Sequence, residues 1–278
     1  MHRNLCLLLI SGAIAIAVAQ DRQPGRGPNF YSIEKEVELG RQLAGEFRHH
    51  VTPLESPATL AYVNDIGQRL AAAIGGPPFL YTFAVVSDDP TMLHEAAAFP
   101  GGYIFVPAGL ILAAKNEDEF AGMLAHAVAH VASRDFTREA TRGQIVDMAT
   151  TPLVFMGGWT GYAIEQGASI AIPLGMLRFR RQMELAADTL AAARMSDAGY
   201  DPEALARYIE RVQPAADPYA TTKVYTALPD RDQRLLAIRG VIPVIPGRTF
   251  PPHPGFDRMQ AEVRKLTAGA KKPPSLAK

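Results

Sequence analysis

His126 and His130 stand four residues apart in the run Phe120–Val131, F-A-G-M-L-A-H-A-V-A-H-V. On a helix both imidazoles project from one face, one turn apart. Two histidines at this spacing can chelate zinc, as in the pattern H-E-x-x-H, whose glutamate serves as general base. The residue after the first histidine is Ala127. The metal-binding half of the pattern is therefore present and its base is absent. Zinc held by two histidines of one helix wants a third protein ligand and an open position. Glu184 and Asp188, in M-E-L-A-A-D, again sit four apart on one helical face. A glutamate can complete a His₂Glu set, and an aspartate one turn on can accept a ring N–H from a ligating histidine. Taken alone, the same spacing describes a charged helix face with Arg178, Arg180 and Arg181 pairing the acids. Its position downstream of the histidine pair strengthens the reading as a site.

The elements that must hold these residues follow from periodicity. Asn116 with Glu119 makes an N-cap and capping-box acid, and Glu117, Asp118 and Glu119 suit the positive end of a helix. Phe120, Met123, Leu124, Val128 and Val131 give it a buried face. Upstream, Ser32–Phe47 and Pro57–Ile74 have helical spacing, the second stopped by Gly75-Gly76-Pro77-Pro78. Tyr81–Val86 and Gly102–Val106 are aromatic and β-branched, and read as strands. The piece between them, Leu93–Phe99, reads as irregular and contains His94, a loop histidine or a further ligand. Pro107–Lys115 starts a short apolar helix. Helical character runs on from His130 to Met148. Arg178–Met195, Pro202–Val212, Arg231–Arg239 and Phe256–Leu266 are also helical. Thr151–Leu177 is apolar and glycine-rich. It reads as a helical hairpin packed on the domain, or as a segment lying against a membrane or partner. His49-His50 is a solvated helix end, since adjacent residues point apart.

Twenty-eight basic and twenty-eight acidic residues cancel, so nothing in the net charge points to nucleic acid. Residues 1–19 read as a cleaved signal peptide. His2 and Arg3 precede the apolar run Leu5–Val18, and Ala17-Val18-Ala19 forms the cleavage site. That run is shorter than the roughly 20 residues of a membrane span. Cys6, the single cysteine, lies inside it. A mature chain from Gln20 has no thiol chemistry, and is expected in the periplasm or secreted. Residues 20–31 read as a flexible lead-in and 267–278 as a disordered basic tail, around one domain over 32–266.

Several blocks carry a wider likeness. They are E-V-E-L-G-R-Q-L at Glu36–Leu43, Y-V-N-D-I-G-Q-R-L at Tyr62–Leu70, F-P-G-G-Y-I-F-V-P-A-G-L at Phe99–Leu110, E-L-A-A-D at Glu184–Asp188 and A-G-Y-D-P at Ala198–Pro202. In this order and spacing, roughly from Ser32 to Leu266, the chain resembles the HtpX/BepA-like zinc metallopeptidases, relatives of the CAAX prenyl endopeptidases and other gluzincins. The resemblance implies an α+β, mainly helical, zincin-like domain with a small sheet whose edge strand borders the active-site helix. It implies Zn²⁺ held by His126, His130 and Glu184, with Asp188 behind them. It also implies Gly101, Gly102, Tyr103, Ile104 and Phe105 as an edge strand that pairs with an extended peptide, a role open to any unpaired strand.

The chain departs from that family at Ala127, which replaces the base, and at Leu228-Pro229, where the family often has His-Pro. It departs also at Glu95 and Ala97, which replace Asn and Phe, and at Asp135, where a histidine is common. Two functions follow. One is an exported metalloendopeptidase acting on extended or unfolded polypeptides, with proteolysis impaired by the loss of the base. The other is a pseudoprotease, a zinc-stabilised peptide-binding or chaperone-like module of the cell envelope. A helical domain without metal is a third reading, and it leaves the two i,i+4 pairs unexplained.

Overall fold

The computed structural model describes residues 27–87, 95–154, 159–214, 228–242 and 249–269, with the backbone alone for 146–154 and 159–174. The expected signal peptide, His94 and residues 270–278 lie outside the described residues. Nine α-helices are described: α1 (Ile33–Arg48), α2 (Pro57–Ile74), α3 (Ala108–Ala113), α4 (Glu117–Ala132), α5 (Asp135–Val154), α6 (Trp159–Met195), α7 (Glu203–Val212), α8 (Arg231–Arg239) and α9 (Phe256–Gly269). Three short strands, β1 (Thr82–Val86), β2 (Ala97–Phe99) and β3 (Tyr103–Pro107), complete an α+β, mainly helical domain.

Local chemistry sets the helix boundaries. Ser32 and Ser56 cap α1 and α2 through their hydroxyls, Pro57 occupies the first turn of α2, and Gly75 at φ 75° stops it. Asn116 accepts from Glu119 N at 2.9 Å, as the sequence predicts. The Glu119 carboxylate reaches Lys115 N at 2.8 Å, one residue ahead of the usual capping-box partner.

α4 runs through the middle of the molecule and is buried along almost its whole length. α2, α6 and α7 pack against it. A helix apolar on every side needs such a jacket. Phe120, Leu124 and Val128 of α4 join Ile66 and Leu70 of α2, and Ile104 of β3, in one core. At the start of α4 the buried Glu117 accepts from the Tyr62 and Tyr200 hydroxyls, fastening α2 and the segment before α7 to it.

The sheet corrects one expectation. Its order is β1-β3-β2, with β1 parallel to β3 (Thr82↔Tyr103 to Val86↔Pro107) and β2 antiparallel to it (Ala97↔Phe105, Phe99↔Tyr103). Tyr103, Ile104 and Phe105 therefore lie in the central strand with ladder partners on both sides, and cannot add a peptide strand. Gly101 and Gly102 belong to a buried 3-10 turn, Pro100–Gly102, at φ 77° and 105°. A Cβ on Gly101 would stand 2.7 Å from Val37 Cα, and one on Gly102 2.8 Å from Leu80 O. The close approach these glycines permit is to α1 and to the chain before β1, with no opening for substrate. The edge strand is β2, within the piece read as irregular. It borders α4. Phe99 packs with Phe47 and Phe105, which fixes the strand to α1 and β3.

Other elements differ in extent. The helix expected from His130 to Met148 is broken at Ser133 and Arg134, where α5 begins anew. Thr151–Leu177 contributes to α5 and α6, which pack on one another, and α6 continues unbroken to Met195. Among the described residues no helix is long and apolar enough to cross a membrane. Part of the expected flexible lead-in is tied down, with Asn29 Nδ2 donating to Thr137 Oγ1 and Phe30 N to Thr141 Oγ1, both at 2.9 Å. Thr267–Gly269, assigned by the sequence to the tail, complete α9.

Gly40 of α1 faces the Pro100–Gly102 turn so closely that an added Cβ would meet Pro100 O at 1.7 Å, whereas Gly45 has open space. Gly40→Ala is expected to lower stability by at least about 1–3 kcal/mol through overpacking. Gly45→Ala should raise it by up to about 0.5–1 kcal/mol through helix propensity. Urea unfolding of both variants checks this, and equal midpoints would refute the packing of α1 on the turn.

Candidate metal centre

Two helices deliver the site. α4 projects His126 and His130, and α6 crosses it to bring Glu184 and Asp188 alongside. His126 Nε2 and His130 Nε2 are 3.0 Å apart, and Glu184 Oε2 stands 3.3 Å from the first and 3.5 Å from the second. Ligands ~2.0–2.2 Å from a tetrahedral zinc stand about 3.3–3.6 Å from one another. The two distances to Glu184 fall in that range and the histidine nitrogens stand a little closer together than it, so a small relaxation would seat such an ion. These three residues are the group of His, Cys, Asp and Glu side chains among the described residues that could hold a metal.

Behind the three donors lies a chain of buried charge. Asp188 has no exposed surface. Its Oδ1 is 2.8 Å from His126 Nδ1, a bent approach that makes a charge contact without forming a full hydrogen bond. The fork of Arg234 on α8 donates to both oxygens of Asp188, Nε at 2.7 Å and Nη2 at 2.8 Å. Its remaining nitrogen reaches Glu95 Oε1 and Gln213 Oε1, each at 3.2 Å. Sequence periodicity assigns Arg234 to a helix and no more, because its partner is far along the chain. A signal does exist in principle: an arginine on the inner face of a short amphipathic helix must find a carboxylate. Arg180, offered by the sequence as a partner for the α6 acids, pairs instead with Glu139 of α5.

The second histidine has its own acid, His130 Nδ1 lying 2.8 Å from Asp135 Oδ2. With both Nδ1 atoms facing carboxylates, both Nε2 atoms are turned to the shared position. Beside them opens a cleft of about 270 Å³, whose walls include Ala98, Phe99, Phe136 and Met183 with Glu36 and Glu95. Ala98 and Phe99 belong to β2, so the edge strand that lines the cleft is β2, where the sequence expects residues 101–105. Ala127 is only 2% exposed and packs in the core; the wall that α4 contributes is formed by His126, His130 and Val131. Leu228 is half-buried just ahead of Pro229, whose carbonyl accepts Gln213 Nε2 at 2.9 Å.

The electrostatics of the metal-free site are those of a charged pair. Burial would push His130 down, but the Glu184 charge and the Asp135 and Glu184 hydrogen bonds outweigh it and raise its pKa to about 10. His126 is likewise held up, against burial, by Asp188 and then Glu184. Burial would raise Glu184, and the two histidines hold it well below the carboxylate range. For Asp188 the opposing cause to burial is Arg234 first and His126 second.

Two tests follow from these charges. Arg234→Ala leaves Asp188 buried and half-neutralised, and is expected to cost about 3–5 kcal/mol in urea unfolding. Arg41→Ala, which breaks an exposed pair with Glu38, should shift the unfolding midpoint far less, since solvent screens such a pair. Comparable losses would show that Arg234 carries no special burden.

The second test concerns pH. A raised histidine stabilises fully below its unfolded value of 6.5, and that share is lost as pH rises through about 10. A lowered Glu184 stabilises fully above 4.5 and loses its share as pH falls. The metal-free protein should therefore draw most from this pair between pH 4.5 and 6.5. Its melting temperature should fall towards pH 10 more steeply than that of Glu184→Gln. Identical pH profiles for the two proteins would refute the pairing.

The comparisons with known proteins agree with this geometry. The model of peptidase family M48 matches residues 57–262. The chain is 25% identical over 232 residues to the beta-barrel assembly-enhancing protease of Escherichia coli (strain K12), covering 76% of this chain and 46% of that protein. It is 27% identical over 231 residues to the putative beta-barrel assembly-enhancing protease of Vibrio cholerae, covering 78% and 46%. To the mitochondrial metalloendopeptidase OMA1 of Schizosaccharomyces pombe it is 31% identical over 181 residues, covering 63% and 50%. The chain spans about half the length of these curated relatives.

Proposed function

The chain belongs to peptidase family M48, and from that premise we propose that it is an exported, zinc-holding protein that binds extended polypeptide and hydrolyses it poorly. The observation that carries the reading is the triangle of His126, His130 and Glu184 at zinc-ligand separations, next to an alanine where a base belongs. Zinc bound there would supply Lewis-acid polarisation of a substrate carbonyl and of an attacking water. Asp188 and Arg234 hold His126 in place, and β2, whose outer edge pairs with no other strand among the described residues, offers backbone groups to an extended chain. Ala98, Phe99, Phe136 and Met183 give the cleft an apolar wall for a side chain of that polypeptide.

Turnover needs a group that takes a proton from water and gives it to the leaving amine. Ala127 has no such group. The cleft's carboxylates are all engaged: Glu36 with Arg134, Glu95 with Arg234, Asp135 with His130, Glu139 with Arg180, and Glu184 with both histidines. The pseudoprotease reading, a zinc-stabilised peptide-binding module, draws on the same fact. The periplasmic or secreted location rests on the signal-like residues 1–19, and sequencing of the mature N-terminus should then begin at Gln20.

Ala127→Glu decides between the two readings. If the missing base is the one defect, the zinc-loaded variant should cleave unfolded casein about 10²–10⁴-fold faster than the wild-type chain at equal zinc content. A folded, zinc-loaded variant with no gain would favour the binding module. Strong wild-type activity, abolished by a chelator and by His126→Ala, would overturn the claim of impairment.

A further inference from the structure

Among the described residues one non-glycine has positive φ: Arg134, at 58°, in the break between α4 and α5. Residues with a Cβ seldom adopt this conformation, and here the surroundings enforce it. Arg134 Nε donates to Glu36 Oε2 and Nη2 to Tyr31 O, both at 2.6 Å. Glu36 is wholly buried on α1 and takes a further bond from Thr137 Oγ1 at 3.0 Å. The guanidinium is thus clamped to α1 and to the chain ahead of it, and the left-handed turn leaves only Ser133 and Arg134 between α4 and α5.

α5 consequently starts at Asp135, five residues after His130, and folds that carboxylate back onto it. Asp135 is 4% exposed. Its Oδ2 faces His130 Nδ1 at 2.8 Å, while Oδ1 takes Arg138 Nη1 at 3.2 Å. A carboxylate that accepts from Nδ1 holds the one proton of a neutral, metal-ligating imidazole there, which turns the Nε2 lone pair to the ion. By sequence, Asp135 counts among the departures that erode the site. Its contact says the reverse.

We propose that Asp135 is a positioning residue for metal binding. It is delivered by the Glu36–Arg134 clamp and orients His130 as Asp188 orients His126. The inference rests on the metal-site reading above and adds to it a second carboxylate–histidine pair. Nothing in this pair requires proton transfer to substrate, so it serves metal retention whether or not the chain turns over.

Zinc affinity of the full chain, measured by competition with a chromophoric chelator, tests the role apart from activity. Asp135→Ala and the near-isosteric Asp135→Asn are expected to weaken zinc binding about 10–100-fold. Glu38→Gln, which touches an exposed pair with Arg41 outside the cleft, should leave affinity unchanged. Nitrogen-15 spectra of the zinc-loaded wild-type protein should show the His130 ring proton on Nδ1, slow to exchange, and in Asp135→Ala exchanging fast. Wild-type affinity in both Asp135 variants, or a ring proton on Nε2, overturns this inference and leaves the metal site standing. Failure of the wild-type chain to bind zinc overturns both.

Discussion

Asp188 carries a negative charge with no exposed surface, and a charge so placed must be surrounded by cations and donors or the fold cannot hold it. The surroundings come from three distant parts of the chain: His126 of α4, Arg234 of α8, and α6 itself, which carries the aspartate. Arg234, 1% exposed, has in turn to satisfy its remaining donors, and it does so on Glu95 and Gln213. One buried carboxylate thus fixes the crossing of α4 and α6, the docking of α8, and the start of the chain that becomes the edge strand. The direction in which His126 faces the other two donors is a by-product of the same demand, since the ring atom turned to Asp188 leaves the other turned to Glu184.

The sheet has a different logic. Three strands of three to five residues do not make an independent layer. β3 is stabilised by being central, by the aromatic packing of Phe105 with Phe47 and Phe99, and by glycines that let α1 and the 3-10 turn approach at backbone distance. The consequence for function is that the exposed ladder falls to β2. Its outer edge borders α4 beside the histidines, and among the described residues no further strand pairs with it.

The positions of the site that would hold a metal and the position after the first histidine differ in how they are supported. Both histidines that would hold a metal are braced twice over, with a carboxylate behind each and an arginine behind each of those carboxylates, Arg234 at Asp188 and Arg138 at Asp135. The position that would move a proton has been reduced to a methyl group packed in the core. Loss of a base changes rate without touching stability, whereas loss of a buried charge partner would cost the fold several kcal/mol.

Much of this was legible in the sequence because it is local. The i,i+4 spacing of His126 with His130 and of Glu184 with Asp188 follows from helix geometry alone. So do the cap at Asn116, the stop at Gly75 and the buried stripe of α4. The existence of β1 and β3 was legible too, but β2 and the pairing were not: Tyr103–Pro107 has the composition of any half-buried strand, and only the return of Ala97–Phe99 alongside it made it central. That return has no local signature, since two alanines and a phenylalanine favour no particular ladder. Arg234 and Asp135 were equally hidden, for opposite reasons. The first meets a partner 46 residues away in the chain. The second meets one five residues away, through a left-handed turn that Arg134 adopts because Glu36, on another helix, holds it there. Sequence determined which side chains share a helical face. Tertiary structure decided which faces meet, because burial of charge and the closure of a sheet are settled between elements and not within them.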